Sequence, residues 1–233
     1  MTLTHRERMQ ACLADDNALD RPPVALWRHF PVDDQDPETL AAAALEFQHR
    51  YDFDLVKVTP ASSYCIKDWG AEDAWEGHTE GTRRYTRRVI EKPQDWERLP
   101  VLSPSSPHLA RQLVCLRYIR ADLSPQTPLL QTIFSPLAQA KNLAGGERLL
   151  VHLRQNPEAV LKGLETIAET TRRFVEACMK VGLDSTCSCF PPKVYYMLDQ
   201  TKIFEYQIVP AHNTCIYAVP WVITTTLTFC PFQ

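Results

Sequence analysis

Basic and hydroxyl-bearing side chains follow three short apolar runs of this sequence, and their chemistry suits contact with a small polar molecule. Arg28 and His29 come directly after the first run, Val24 to Trp27. An arginine stays charged and offers a planar fork of donors, whereas an imidazole exchanges protons near neutral pH. The hydroxyl-bearing residues after the two later runs are Thr59, Ser62, Tyr64 and Ser135.

The basic residues also have structural interpretations. Arg28 can be a surface arginine, and His29, beside Trp27 and Phe30, can be a structural side chain whose hydrogen bonds are satisfied. Four further arginines occur on a loosely alternating segment, which favours a solvated face over an anion site. These are Arg83, Arg84, Arg87 and Arg88.

The elements that position these residues alternate between helices and strands. The helices are predicted at Thr4 to Ala14, Pro37 to Arg50, Leu109 to Leu123 and Pro157 to Val181. The strands are predicted at Val24 to Trp27, Leu55 to Val58 and Pro128 to Phe134, with a fourth from near Leu183 and a rim hairpin strand in Arg83 to Glu91. Such alternation predicts an α/β fold with a parallel sheet, but the pattern alone leaves open a doubly wound sheet or a closed barrel.

Composition narrows the class of protein. The chain has 233 residues, 45% of them hydrophobic, and a net charge of -3 with mixed signs, so one globular domain is expected and nucleic acid is not. Its beginning lacks the apolar core of a secretory signal, and its longest weakly charged stretch is interrupted by prolines, so we expect a cytoplasmic protein without a membrane partner. Four cysteines among apolar neighbours are expected to be buried thiols: Cys12, Cys65, Cys115 and Cys178.

The composition changes at Ser185. The final 49 residues contain four charged side chains, no arginine and no glycine. We therefore divide the chain into residues 1–184 and an atypical tail, 185–233, which is either a genuine β-rich extension or the product of a shifted reading frame or mispredicted exon. The tail carries Cys187, Cys189, His212 and Cys215, whose spacing fits no closed zinc site, so no metal is predicted.

Several segments together resemble the front half of a known family. The segments LTHRERMQAC from Leu3, DRPPVALWRHFP from Asp20 and YDFDLVKVTP from Tyr51 are similar to those of uroporphyrinogen decarboxylases. The resemblance continues through LLQTIFSPLAQAKNLAGGERLLVHLRQNPEAV from Leu129 and FVEACMKVGLD from Phe174. It implies part of a (β/α)8 TIM barrel, the front half of a longer, truncated enzyme.

The resemblance also implies roles for residues at the carboxyl ends of the strands, where such barrels carry their sites. Arg28 takes the place of the family's first substrate-binding arginine. His29 follows it at the end of the strand as a candidate catalytic proton donor or acceptor, and the candidate substrate-binding residues are Thr59, Ser62, Tyr64 and Ser135. The chain differs from the family pattern at two positions. Val32 replaces a second arginine, and Thr59 replaces the aspartate that stabilises the protonated pyrrole.

The function implied by the resemblance is that of a cofactor-free carbon–carbon lyase of porphyrin biosynthesis, acting on a carboxylated, porphyrinogen-like substrate. A corrinoid-dependent methyltransferase of the same family, using zinc, is one alternative, and an inactive fragment is another. A half barrel exposes sheet edges and apolar interior, so we also expect a homodimer or self-association.

Overall fold

The computed structural model describes residues 2–14, 19–189 and 216–217. Its helices are α1 His5–Leu13, α2 Pro37–Tyr51, α3 Gln94–Glu97, α4 Pro107–Asp122, α5 Pro136–Ala144, α6 Gly146–Gln155 and α7 Pro157–Lys180. Its strands are β1 Val56–Val58, β2 Glu72–Trp75, β3 Arg83–Arg87, β4 Leu129–Phe134, β5 Ser185–Cys189 and β6 Ile216–Tyr217. Short 3-10 turns lie at Asp33–Gln35 and Lys67–Trp69. None of the helices described is both long and apolar enough to cross a membrane.

The main sheet is parallel, with the strand order β1-β4-β5-β6. Val56 pairs with Leu129, and Leu130 pairs with Ser185. Helices connect the successive strands, as in the front half of a (β/α)8 barrel, and this confirms the predicted fold class. The predicted fourth strand is present as β5, so the sheet continues for five residues past the expected boundary at Asp184. The cysteine and histidine side chains considered above for zinc lie outside the described side chains.

The predicted first strand is not formed. Val24 to Trp27 is extended beside β1 and is joined to it by a bond from the Asp54 N–H to the Val24 carbonyl, 2.8 Å. Pro22 and Pro23 have no N–H to donate, and the described chain offers this segment no strand on its other side. The segment is also partly open to solvent, because Leu26 is 60% exposed.

Local capping signals explain where the helices begin. The Thr4 hydroxyl and the Glu7 carboxylate complete a capping box at the start of α1. At α2, the Asp36 carboxylate accepts from two backbone N–H groups, and Pro37 occupies the first helical position. Both helices begin where the sequence predicted, because their capping residues lie within four residues of the first turn.

The main core lies between the outer face of the sheet and helices α2, α4, α5, α6 and α7. Trp96 and Phe174 are among its largest fully buried side chains. A Cβ at Gly163 of α7 would lie 2.7 Å from the Trp96 ring, so glycine is needed there for close contact with α3. Of the cysteines predicted to be buried thiols, Cys65, Cys115 and Cys178 are free and buried, and Cys12 is half-buried.

Strands β2 and β3 form an antiparallel hairpin outside the main sheet, which confirms the predicted rim strand. The arginines of this hairpin are not one solvated face. Arg84 and Arg87 are exposed and pair with glutamates of the hairpin, whereas Arg83 is buried against Asp34. The interpretation as a solvated face was therefore wrong for Arg83, because the partner that buries it comes from a segment 49 residues earlier.

The buried carboxylate of Asp54 joins three segments at the amino end of β1. It accepts from Arg8 of α1, from Arg21, and from the Val24 backbone N–H at 2.7 Å. Arg8 is itself 3% exposed and also binds Asp20. Burial alone would raise the pKa of Asp54, but the bonds from Arg21, Val24 and Arg8 outweigh it and hold that pKa below its ordinary value.

We expect Asp54→Asn to lower the free energy of unfolding by about 3 to 5 kcal/mol, because it leaves the buried Arg8 without full compensation. Since the pKa of Asp54 is lowered on folding, its contribution is present above pH about 4 and is lost as the pH falls through the lowered value. Urea denaturation at pH 7 and at lower pH measures both effects. Glu176→Gln, which removes an exposed partner of Arg172, is the control and should change stability by less than about 0.5 kcal/mol.

Candidate functional site at the carboxyl end of the sheet

The inner face of the sheet changes from apolar to polar along the strands. At its amino end, Leu55 and Leu130 pack against Met9 of α1 and the neighbouring Ala25. Side chains two positions further along a strand lie on the same face. Lys57 and Thr132 therefore follow on this face, and Thr59 lies beyond Lys57 at the carboxyl end of β1.

Lys57 is the basic group that this face presents. Its Nζ lies 4.0 Å from the centre of the Trp27 ring, a cation–π contact between β1 and the extended first segment. Within the described residues, Lys57 makes no ion pair with a carboxylate. By contrast, Arg8, Lys67 and Arg83 are each paired with an aspartate.

Lys57 is not among the site residues predicted from the sequence. The signal was present, because a lysine interrupts the otherwise apolar run Leu55 to Val58. A charged side chain within a buried strand needs a partner or a function. Lys57 lies inside a strand, whereas the predicted site residues all follow strands.

Thr59 is buried, and its hydroxyl donates to the backbone carbonyl of Arg28. This bond fixes the first segment against the carboxyl end of β1. The Arg28 side chain, however, lies over Phe30 at 5.3 Å, and Phe30 packs against Phe47 of α2. The guanidinium thus lies on the side of the segment that faces α2. Its catalytic role stays a prediction.

His29, one residue further along, lies against the hairpin, since a Cβ added at Gly81 would be 3.5 Å from the His29 Cβ. Loss of water around the ring lowers the pKa of His29. Asp34 opposes this shift, and Lys57 adds to it. The imidazole is therefore neutral at pH 7 and suited to accept a proton or hydrogen bond. The structure thus brings His29, Lys57 and Thr59 to one end of the sheet.

The other predicted substrate-binding residues have structural contacts. Tyr64 is buried, donates from its hydroxyl to the Thr132 carbonyl at 2.9 Å and packs against Phe174. Ser62 is half-buried, and its carbonyl accepts a weak bond from the Cys65 thiol. Ser135 caps α5 by accepting from the Ala138 N–H at 3.2 Å. These contacts do not test substrate binding, but they give Tyr64 and Ser135 roles in the fold.

The described residues contain no group of three or more histidine, cysteine or acidic side chains placed to hold a metal ion. The chemistry available to this end of the sheet among those residues is that of an ammonium, a neutral imidazole and hydroxyl groups. An ammonium beside an aromatic ring suits the recognition of an anion.

Comparison with known proteins relates this arrangement to a family. A sequence model of uroporphyrinogen decarboxylase (URO-D) matches residues 4–199. No curated protein matches the sequence. Among the solved structures that match is a methyltransferase from Methanosarcina mazei, with a TM-score of 0.68 and 17% identity. The match covers 80% of this chain and 59% of that one, so this chain spans less than two thirds of the methyltransferase. At this identity the likeness shows the fold.

We expect Ser135→Ala to lower the free energy of unfolding by about 1 kcal/mol, because the first turn of α5 loses its cap. Ser135→Asp should restore most of that stability, since aspartate is also a good cap. Thermal unfolding followed by circular dichroism measures both, with Ser62→Ala as the control that removes no helix cap. Unchanged stability in Ser135→Ala would instead leave the predicted substrate contact as the main role of this hydroxyl.

Proposed function

We propose that this chain, which belongs to the uroporphyrinogen decarboxylase family, binds a carboxylated, porphyrinogen-like small molecule at the carboxyl end of its sheet and acts on it as a carbon–carbon lyase. The observation that carries the proposal is Lys57, an ammonium on the inner face of the barrel with no carboxylate partner in the described residues. An ammonium held over Trp27 is a site for a substrate carboxylate. The neutral imidazole of His29 and the hydroxyl of Thr59 lie at the same end of the sheet.

The residues divide the proposed reaction between them. Loss of carbon dioxide breaks a carbon–carbon bond and leaves an electron pair on the carbon, which a proton must take up. The Lys57 ammonium can hold a carboxylate and deliver that proton, and neutral His29 can accept a hydrogen bond from the substrate. Thr59, whose hydroxyl is bound to the Arg28 carbonyl, offers no negative charge to a developing cation. The proposed substrate is therefore bound mainly through cationic side chains of the enzyme, and its reaction is not assisted by an acidic side chain at position 59.

The second candidate is a methyltransferase of the same family, and the observation that favours it is the match to the Methanosarcina mazei methyltransferase. The zinc ligands of such an enzyme would have to come from outside the described side chains, because no suitable group lies within them. The third candidate is an inactive fragment. Carbon dioxide release supports the lyase, methyl transfer that requires added zinc and a corrinoid supports the methyltransferase, and neither activity supports the fragment.

We expect Lys57→Gln to weaken the binding of uroporphyrin, a stable carboxylated tetrapyrrole, by about tenfold, which corresponds to about 1.4 kcal/mol, within the range for one bond to a charged group. Lys57→Arg should retain most of the affinity, because it keeps the charge. Quenching of tryptophan fluorescence measures the dissociation constants, and Trp27 lies directly beside the changed group.

Lys162→Gln is the matched control, because Lys162 is exposed on α7 and far in sequence from the site. It should bind uroporphyrin as the unchanged chain does. Equal weakening by both substitutions would show a general charge effect. Unchanged binding in Lys57→Gln would remove the basis of the proposal.

We also propose that the exposed apolar side chains beside β1 cause self-association, because this edge of the sheet carries Leu26, Val24 and Trp27 with at least a third of each exposed. Leu26→Lys should therefore reduce the apparent mass in light scattering at a fixed concentration. The control is Val151→Lys, which changes a comparably exposed residue of α6. A monomeric unchanged chain, or equal effects of the two substitutions, would contradict this proposal.

A further inference from the structure

A polar cavity of about 250 Å³ lies between the amino-terminal ends of α2 and α4, the loop after β1 and the β2–β3 hairpin. None of Trp27, His29, Lys57 and Thr59 lines it, so it is separate from the site proposed for the carboxylated substrate. At about 30 Å³ per water molecule, its volume corresponds to about eight waters. The cavity therefore has room for a small organic molecule.

The wall that α4 contributes carries a histidine held by a buried aspartate. The His108 Nδ1 lies 2.8 Å from the Asp68 Oδ1, and the Asp68 side chain is 4% exposed. Because a carboxylate only accepts, Nδ1 carries the hydrogen of this bond, and the lone pair of the neutral ring is on Nε2. The same carboxylate accepts from the backbone N–H groups of His108 and Leu109, each at 3.1 Å, so its position at the start of α4 is fixed.

The second nitrogen of this ring is open to solvent. The His108 Nε2 makes no hydrogen bond within the described residues, and it is not one of their buried atoms that lack a partner. The His108 side chain lines the cavity and is 38% exposed. An imidazole that a carboxylate orients through one nitrogen, while the other nitrogen remains accessible, has the arrangement of a general base.

An ammonium lines the same cavity, on the residue that precedes Asp68. The Lys67 Nζ lies 2.6 Å from the buried Asp73 carboxylate, which fixes its position. An ammonium has three hydrogens to donate, and the Lys67 side chain is 30% exposed, so donors remain for a bound molecule. A positioned cationic donor stabilises negative charge that develops on a carbonyl oxygen during a reaction.

The remaining lining favours an uncharged substrate. Acidic side chains and lysine or arginine side chains are equal in number there, and apolar surface is added by Trp75 and Leu40. The charged residues are Asp34, Asp36, Asp73, Lys67, Arg83 and Arg111. An uncharged molecule whose reaction needs both a base for water and a donor for an oxyanion is a carboxylic ester.

We propose that this cavity is a second active site that hydrolyses small, uncharged carboxylic esters, with His108 as the general base and Asp68 as its positioning residue. The His108 Nε2 takes a proton from water, and the water oxygen bonds to the ester carbonyl carbon. The carbonyl electron pair moves to the oxygen, where Lys67 stabilises it. The bond from carbon to the alcohol oxygen then breaks, and the imidazolium returns the proton to the departing alkoxide.

The test is the hydrolysis of p-nitrophenyl acetate by the full chain, followed by the absorbance of the released p-nitrophenolate. We expect saturable hydrolysis that is faster than that by free imidazole at the same concentration. His108→Gln, whose amide can still donate to Asp68, should lower kcat by about a hundredfold or more. Asp68→Asn should lower kcat by about tenfold or more with KM unchanged, because the ring loses its orientation while the cavity is kept.

His49→Gln is the matched control, since His49 is exposed on α2 and does not line the cavity. It should leave kcat and KM unchanged, which separates the proposed site from the general reactivity of surface imidazoles. Circular dichroism verifies that each variant is folded. If Asp68→Asn does not fold, His108→Gln decides the question alone. Hydrolysis that does not saturate, or an equal kcat in His108→Gln and His49→Gln, would overturn the proposal.

Discussion

The arrangement of this protein depends on the carboxylate of Asp54, which is buried at the start of β1. Arg8, Arg21 and the Val24 N–H all bind it, so one side chain joins α1, the segment after α1 and the first extended segment to the sheet. A buried charge of this kind is stable only while its partners are in place. The network therefore sets the position of α1 beneath the sheet and the path of the chain toward Trp27 and His29.

A second aspartate makes similar contacts at the start of β5, two strands away from β1 in the sheet. Asp184 precedes β5, accepts from the Leu129 N–H at 2.9 Å and is bound by Arg6 of α1. Carboxylates thus complete hydrogen bonds where the strands begin, and helix α1 supplies an arginine to each of them. The contacts at the amino end of the sheet therefore stabilise the fold, as is usual in barrels of this architecture.

The carboxyl end of the sheet differs from the amino end in how its charged groups are paired. Lys57 lies over Trp27 without a carboxylate partner in the described residues, and the pKa of the neighbouring His29 is lowered. The buried acids Asp34 and Asp73 are paired with Arg83 and Lys67. Each of these two acids therefore has a cationic partner of its own.

The sequence by itself determined helices α1, α2, α4 and α7, their alternation with strands and the family, because caps such as Thr4 and Asp36 and the apolar spacing of each element act over a few residues. It did not predict α3, α5 and α6. Only the tertiary structure decided that Val24 to Trp27 is an unpaired extended segment, that Arg28 lies toward α2, that Arg83 is buried, and that Lys57 is the basic group of the inner face. Each of these outcomes depends on a partner distant in the sequence: Asp54 for the first segment, Phe30 held by Phe47 for Arg28, Asp34 for Arg83 and Trp27 for Lys57. Local patterns determine which element a residue belongs to, whereas the direction and burial of a charged side chain are set by the packing of distant segments, which no local pattern contains.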